Sequence, residues 1–350
     1  MSLRVGVRLP ACERADKVAA AAAYAEAAGF DSVWVPDSQL IWRDTFASLA
    51  LAAASTRRIT LAPGVTNLVT RHVSVVASAA RTVQELARGR FVLALGAGRS
   101  AAEMIGATST PTRSLEESLN ALRRLLSGEA WSFGGVPQRL SGASGTCPIY
   151  LGAAGPRNLR LACAEADGLI LTGSLSPAEV TTLAASVRAL VARSSRPDRP
   201  FDLVLWIRAH VVDGSAPDPR QWKPAVVIAV MNAPPAMAED LGIDPGALRR
   251  ARGLQSDGTH HAAWAEAVAS CDALISDEAA SGFAQRYCLY GTPGDISRRV
   301  AGLETAGVTT IITTPLAGDT TFSLPYEFMD SFAATGLTGT AKQPVRPDGE

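Results

Sequence analysis

The chain has 350 residues, of which 47% are hydrophobic, and its 33 basic and 33 acidic side chains give a formal net charge of zero. The length suits two ordinary domains or one large α/β barrel, and the charge balance gives no electrostatic reason to expect nucleic acid or an anionic membrane surface as a partner. The five cysteines form no C-x-x-C pair. No signal peptide or apolar run of roughly 20 residues is present, so we expect a soluble, cytoplasmic protein.

Strand and helix patterns alternate from the first residues onwards. Short apolar strands are predicted at RVGVRL, SVWVPD, ITLAPGV, FVLALGAG, PIYLGAA, GLILTG, FDLVLWIRAHVV and VTTIITTP. A helical pattern follows each of them, and the first of these helices is alanine-rich and ends at Gly29, a residue suited to a helix C-terminus. Such an order is typical of a parallel sheet covered by helices.

The number of units predicts the fold class. Eight βα units close a barrel, whereas open doubly wound sheets usually have about six strands. We therefore predict a single (β/α)8 TIM barrel over residues 1–336, with a helical insertion at about 213–290, between strands seven and eight. Residues 337–350 are polar and rich in proline and glycine, and we expect a disordered tail there.

Two glycine-rich segments follow predicted strands. GAGRSA at 96–101 imitates a dinucleotide fingerprint, but a helical pattern occupies the region about 20 residues on where that fingerprint needs an acidic residue. We interpret the segment as a tight turn or as a loop whose amides approach a ligand. GAAGPRN at 152–158 joins two glycines to Pro156 and Arg157, and such a corner can hold a phosphate. A plain connector is the alternative.

Strand alternation directs several polar side chains into the barrel. Gly6 and Arg8 share the inward face of the first strand. In the same way, one face of the seventh strand carries Val204, Trp206, Arg208 and His210. Asp37 ends the second strand, where barrels usually carry working carboxylates. Arg8 and Asp37 are therefore the candidate catalytic residues. An internal ion pair is the alternative for each, and an internal structural role is preferred for His210.

The sequence contains no G-x-S-x-G, H-E-x-x-H or Walker motif, so a bound cofactor is the expected source of the chemistry. Four segments carry a family resemblance: AEAAGFDSVWVPDS, GVTNLVTRHVSVVASAARTVQELARGRFVLALGAG, GAAGPRNLRLACAEADGLIL and GTPGDISRRVAGLETAGVTTIIT. From about Arg4 to Pro315, the chain resembles the luciferase-like monooxygenase family. GVTN and RH are most similar to the methylenetetrahydromethanopterin reductase-like members, which use coenzyme F420.

The resemblance implies a cofactor site. The Gly64–Val65 peptide would be a non-proline cis bond forming a bulge behind the deazaflavin ring, with polar groups of Thr66 and Asn67 at the ring edge. The two glycine-rich segments would line the ring and the phosphate-bearing tail. The implied cofactor contacts are Ser38, Gly64, Val65, Thr66, Asn67, Gly96, Ala97, Gly98, Gly152, Ala153, Ala154, Gly155, Pro156, Arg157 and Thr172. No metal is implied.

The resemblance also implies the activity, which is hydride transfer between F420 and an organic small molecule. Two alternatives remain open, namely a monooxygenase that uses reduced flavin mononucleotide (FMN) and oxygen, and a non-catalytic flavin-binding barrel. Several deazaflavin enzymes have Asp-His where this chain has Asp37-Ser38, so the histidine base of the sugar-phosphate dehydrogenases is missing. The alanine-rich second and third helices suggest a homodimer, as in relatives.

Overall fold

The computed structural model describes residues 3–143, 145–171, 175–214, 217–232, 235–244, 246, 264–318 and 322–339. Strands are numbered in chain order. They are β1 (Arg4–Arg8), β2 (Ser32–Val35), β3 (Thr60–Pro63), β4 (Leu93–Leu95), β5 (Trp131–Phe133), β6 (Val136–Gln138), β7 (Ile149–Ala153), β8 (Gly168–Leu171), β9 (Asp202–Val211), β10 (Leu289–Gly291) and β11 (Thr310–Pro315).

Eight parallel strands form the barrel, in the order β3-β2-β1-β11-β9-β8-β7-β4. Isolated parallel bridges from Leu61 to Phe91 and from Thr66 to Leu95 bring β3 and β4 together and close the circle. The predicted (β/α)8 barrel is therefore confirmed, and its strands are those expected from the alternating sequence pattern. Parallel strands buried on both faces explain why these segments are almost continuously apolar.

Alternate residues of each strand pack into two different apolar clusters, one on each side of the sheet. Val5 and Val7 belong to the large cluster between the strands and the surrounding helices. The barrel interior holds a smaller cluster that includes Trp34, Tyr150 and Val204. Period-two alternation of side chains accounts for this division.

Helices cover the outside of the barrel. They are Ala15–Ala27, Thr45–Ser55, Val73–Leu86, Arg99–Glu103, Thr112–Leu126, Pro156–Glu165, Pro177–Ala192, Pro293–Ala306 and Tyr326–Ala333. Gly29, with φ of 86°, follows the first helix as predicted for a left-handed C-terminal residue. At the second helix, the Asp44 side chain accepts a hydrogen bond from the Ala47 amide at 2.8 Å.

The predicted insertion lies between the seventh and eighth barrel strands, β9 and β11. Its elements are the 3-10 turn Pro219–Trp222 and the helices Lys223–Asn232, Pro235–Asp240, Trp264–Asp272 and Asp277–Tyr287. Its apolar cluster includes Trp222 and Phe283, and it packs on Leu316, which directly follows β11. The short strand β10 pairs with the last part of β9, from Ala209 to Val211. The insertion therefore covers the carboxyl ends of these strands, where barrel enzymes have their active sites.

Two features differ from the sequence-based expectation. The segment near Trp131 to Gly145, where no strand was predicted, contains the antiparallel hairpin of β5 and β6. Its two-residue turn is Gly134-Gly135, both with positive φ, a sequence signal for a tight hairpin. Towards the C-terminus, Thr338 is buried and its hydroxyl donates to the Ala28 carbonyl at 2.9 Å. The packed chain thus continues past 337, and residues 340–350 of the predicted tail lie outside the described residues.

No helix among the described residues is both long enough and apolar enough to span a bilayer.

Candidate active site

Two tryptophans form the floor of the barrel mouth. The Trp206 indole donates to the Thr314 hydroxyl at 2.9 Å, and it reaches across the barrel to Gly64. A Cβ added at Gly64 would lie 3.5 Å from the Trp206 ring and 3.1 Å from the Trp34 Cβ. Gly6 packs more closely still, since an added Cβ there would be 2.3 Å from the Ser32 hydroxyl oxygen and 2.8 Å from the Trp34 indole nitrogen. These contacts confirm that Gly6 faces inward, and they seal the barrel below the mouth.

The segment Gly64–Asn67 leaves β3 at this floor. The Gly64–Val65 peptide is cis, as the family resemblance implied. The Thr66 amide donates to the Ala94 carbonyl at 3.0 Å, and the Gly96 amide donates to the Thr66 carbonyl at 2.9 Å. The segment is thus attached to the end of β4 rather than forming a free loop.

Gly96 and Gly98 face this segment. A Cβ at Gly96 would come within 2.6 Å of the Val65 side chain, and one at Gly98 would come within 2.6 Å of the Asn67 Cβ. Gly98 also has φ of 77°, which other residues adopt with difficulty. Both glycines are therefore required by the approach of two loops of this chain, which is a different reason from the ligand contact that the sequence suggested.

Asp37 is part of a buried charge network. Its side chain is 3% exposed, it accepts a hydrogen bond from the Thr66 hydroxyl at 2.6 Å, and it forms an ion pair with Arg71. Arg71 also pairs with Asp44 at 2.7 Å and lies over the Phe46 ring. Burial opposes the charge on Arg71, but the two carboxylates raise its pKa above the usual value. The internal ion pair, which was the alternative for Asp37, is thus present in the structure.

Asn67 carries a buried donor without a partner. Its side-chain oxygen accepts bonds from the Val69 and Thr70 amides, both at 3.0 Å, and from the Thr70 hydroxyl at 3.1 Å. The oxygen is therefore fully used by the turn that follows. The side-chain nitrogen is buried and has no hydrogen-bond partner among the described residues. Because an unpaired buried donor costs about 1–3 kcal/mol, this group indicates a place for a ligand oxygen.

The loop after β2 lies against the short helix that follows Gly98. The hydroxyls of Ser38 and Ser100 are 3.4 Å apart, and the Gln39 side chain donates to the Ala101 carbonyl at 3.1 Å. Ser38 is buried and Ala97 is half-buried. The guanidinium of Arg8, at the end of β1, lies 5.0 Å from the centre of the Trp42 ring, a contact that offsets part of the cost of placing a cation there.

The glycine corner after β7 is open. Gly152 and Ala153 complete the buried strand, whereas Ala154, Gly155, Pro156 and Arg157 are exposed. The helix Pro156–Glu165 has no side-chain cap and no acidic residue in its first turn. A Cβ at Gly155 would meet nothing within 4 Å. The free backbone amides, the open space and the cation of Arg157 together suit this corner to the binding of an anion. Thr172, the last implied cofactor contact, lies outside the described residues.

The site contains residues that the sequence analysis did not select. Arg71 stood in the conspicuous RH pair, but its pairing with Asp37 bridges 34 positions of sequence and depends on the barrel. The neighbouring His72 has no part in the site, since it is exposed, caps the helix Val73–Leu86 and lies near the Phe133 ring. Trp206 was placed on the inward face of its strand, but nothing in the sequence indicated that it would reach across to Gly64.

Comparison with known proteins identifies the family. Residues 2–310 match the model of the luciferase-like monooxygenase family. The chain is 30% identical over 295 residues to 5,10-methylenetetrahydromethanopterin reductase of Archaeoglobus fulgidus, covering 82% of this chain and 86% of that protein. The fold is similar to that of the coenzyme F420-dependent tetrahydromethanopterin reductase of Methanopyrus kandleri, with a TM-score of 0.75 and 20% identity. The similarity covers 95% of this chain and 98% of that one. The fold is also similar to that of an F420-dependent secondary alcohol dehydrogenase, with a TM-score of 0.65 and 17% identity, covering 95% of this chain and 99% of that one. The chain therefore belongs to the luciferase-like monooxygenase family.

Proposed function

We propose that this protein is an oxidoreductase that transfers a hydride between coenzyme F420 and an organic small molecule. The observation that carries the proposal is the buried Asn67 amide nitrogen next to the Gly64–Val65 bulge, which has no hydrogen-bond partner in the described part of the chain. A flat, oxygen-bearing ring seated against this bulge would satisfy it. The names of the relatives support F420 over FMN, because the full-length match is to a methylenetetrahydromethanopterin reductase.

The residues present fit such a cofactor at both ends. Asn67 offers a donor at the bulge, and Gly155 to Arg157 offers free amides, open space and positive charge at the corner after β7. F420, when bound, supplies the carbon that gives or accepts the hydride. The separation of an uncharged donor from a cationic corner suits a molecule with a polar ring and a phosphate-bearing tail.

The chain itself contributes position and exclusion of water. Trp206 and Trp34 seal the barrel beneath the mouth, so a ring on the Gly64 side meets protein rather than solvent from below. Asp37 holds the hydroxyl of Thr66 and the guanidinium of Arg71. This arrangement supports a positioning role for Asp37, since the Thr66 hydroxyl and the Arg71 guanidinium fix the direction of its carboxylate.

Replacement of Asn67 by aspartate tests the assignment. Asn67→Asp keeps an oxygen for the Val69 and Thr70 amides but removes the nitrogen donor. We expect the Kd for F420 to increase by roughly tenfold or more, through the loss of about one buried hydrogen bond, and the melting temperature to fall because the new carboxylate is buried. Thr70→Val is the matched control, because it removes one bond to the same oxygen and should leave the Kd unchanged. Equal F420 affinity in a folded Asn67→Asp protein would contradict the role of Asn67.

We also propose that the protein is a homodimer and acts in the cytoplasm. Leu51 is 45% exposed and Val75 is 53% exposed, on the two adjacent helices Thr45–Ser55 and Val73–Leu86. A second copy packed on this face would cover both side chains. All five cysteines are free thiols, which suits a reducing compartment. Light scattering should report a dimer for the wild type and a monomer for Leu51→Glu, and a monomeric wild type would contradict the proposal.

A further inference from the structure

Arg208 stands in the barrel mouth, one step above the tryptophan floor. It lies on β9 opposite Thr314 of β11 and on the same strand face as Val204 and Trp206, whose side chains line the barrel interior. Two residues of a strand advance by roughly 6.6 Å, so Arg208 leaves the strand about that far towards the carboxyl end from Trp206. The side chain is only partly exposed.

The charge of Arg208 has no carboxylate to balance it within the described residues. Its Nη1 donates a hydrogen bond to the Pro315 carbonyl at 3.2 Å, and Arg208 takes part in no ion pair with the described residues. Burial lowers the pKa of Arg208, and the neighbouring thiol of Cys288, whose own pKa burial raises to about 12, carries no charge that would offset this. Uncompensated cations inside a protein are costly and mark places where a ligand completes the balance.

Other buried cations of this chain are treated differently. Lys223 is 4% exposed and contacts both Asp272 and Asp277 at 2.6 Å. Arg71 has two carboxylate partners. Arg90, Arg199 and Arg299 also lack a carboxylate partner among the described residues, but each donates two or more hydrogen bonds to carbonyl or hydroxyl oxygens, whereas Arg208 donates one. The small number of partners at Arg208 is therefore a local property of the mouth.

Arg208 carries the positive charge on this face of β9, and its neighbours add none. His210, two residues further along, stacks on the Tyr290 ring at 6.1 Å. Burial lowers the pKa of His210, with Asp213 acting in the opposite direction, so the imidazole is neutral at pH 7 and above. The glycine corner with Arg157 follows β7, and β8 separates it from β9. The two arginines thus follow strands that are two positions apart in the barrel.

We propose that Arg208 binds an anionic group of the substrate, a carboxylate or a phosphate ester, and holds it above Trp206. This rests on the proposed function only in assigning the Gly64–Val65 bulge and the corner after β7 to the cofactor. The planar guanidinium can form paired hydrogen bonds with either anion, and the enclosed setting makes each bond stronger than at a surface. Neutral molecules of the same shape would leave the cation unpaired and should bind worse.

Thermal melts of the purified protein without cofactor test the proposal. Succinate, inorganic phosphate and the neutral succinamide serve as probes, with wild type, Arg208→Met and Arg208→Lys compared. We expect succinate to raise the melting temperature of the wild type and succinamide to leave it unchanged. Arg208→Met should lose the succinate shift and weaken succinate binding by roughly tenfold or more, whereas Arg208→Lys keeps part of it. Equal shifts in wild type and in both folded variants would overturn the proposal.

Two controls separate other sources of an anion effect. Arg157→Ala removes the cation of the corner after β7 and should keep the succinate shift, and loss of the shift there would overturn the assignment to Arg208. Asp319 follows β11 in sequence and lies outside the described residues. If succinate stabilises Asp319→Asn but not the wild type, an internal carboxylate neutralises Arg208 and the proposal is wrong.

Cofactor titration distinguishes this proposal from the proposed function. Arg208→Met should bind F420 within about twofold of the wild type. A tenfold loss of F420 affinity would assign the anion to the cofactor and overturn the substrate assignment. If F420 fails to bind the wild type at all, the proposed function fails, and the succinate shift still decides whether Arg208 is an anion site.

Discussion

Substitution of Gly98 by alanine should destabilise the protein by more than its backbone conformation alone would predict. Gly98 has φ of 77°, and a Cβ there would lie 2.6 Å from the Asn67 Cβ. The left-handed conformation costs an alanine about 1 kcal/mol. Carbon atoms in contact are normally about 3.5–4.0 Å apart, so one of the two loops must move, at a further cost of about 1–3 kcal/mol. The expected total is about 2–4 kcal/mol.

Gly106→Ala is the matched control for this substitution. Gly106 has φ of 67°, but an added Cβ would meet nothing within 4 Å, so only the backbone cost of about 1 kcal/mol should appear. Urea unfolding of both variants gives the difference, and F420 titration of Gly98→Ala should also show weaker binding because Asn67 is displaced. If the two variants lose the same stability, the close approach of Gly98 to Asn67 is not the reason for the glycine.

Two further substitutions test the charges of the site. Asp37→Asn should lower the free energy of unfolding by about 2 kcal/mol or more, because Arg71 then keeps only its half-exposed partner Asp44. Asp44→Asn should lower it by less than about 1 kcal/mol. Similar losses in both variants would contradict the dominant role of the buried pair. Arg157→Ala should weaken F420 binding by roughly threefold to tenfold at low salt and less at high salt, since the removed charge is exposed and screened. Arg160→Ala, exposed on the same helix, should change the affinity little, and a salt-independent loss at Arg157 would argue against an anion at this corner.

The barrel could be predicted from the sequence because the strand pattern is local. Each strand is nearly all apolar, and each is followed by a helix with recognisable limits, such as Gly29 after the first. The inward direction of Gly6 and Trp206 followed from alternation alone. The hairpin at Gly134-Gly135 was missed although its two glycines carried a usable signal, because the flanking strands have only three residues each.

The chemistry of the site was less predictable, because it depends on which loops meet. Glycine at 96 and 98 indicated close approach but not the neighbour, which is the chain's own segment at Val65 and Asn67. Asp37 was correctly expected at the end of β2, but its partner Arg71 is 34 residues away and becomes adjacent only when β2 and β3 pair. The unpaired nitrogen of Asn67 could not be foreseen, since it results from a turn that uses the amide oxygen.

The most direct test of the central claim is a parallel titration of the purified protein with F420 and with FMN, followed by absorbance and fluorescence. We predict that F420 binds at least roughly tenfold more tightly than FMN, and that Asn67→Asp reduces this preference. Tight binding of FMN with none of F420 would contradict the proposal and favour the flavin monooxygenase alternative.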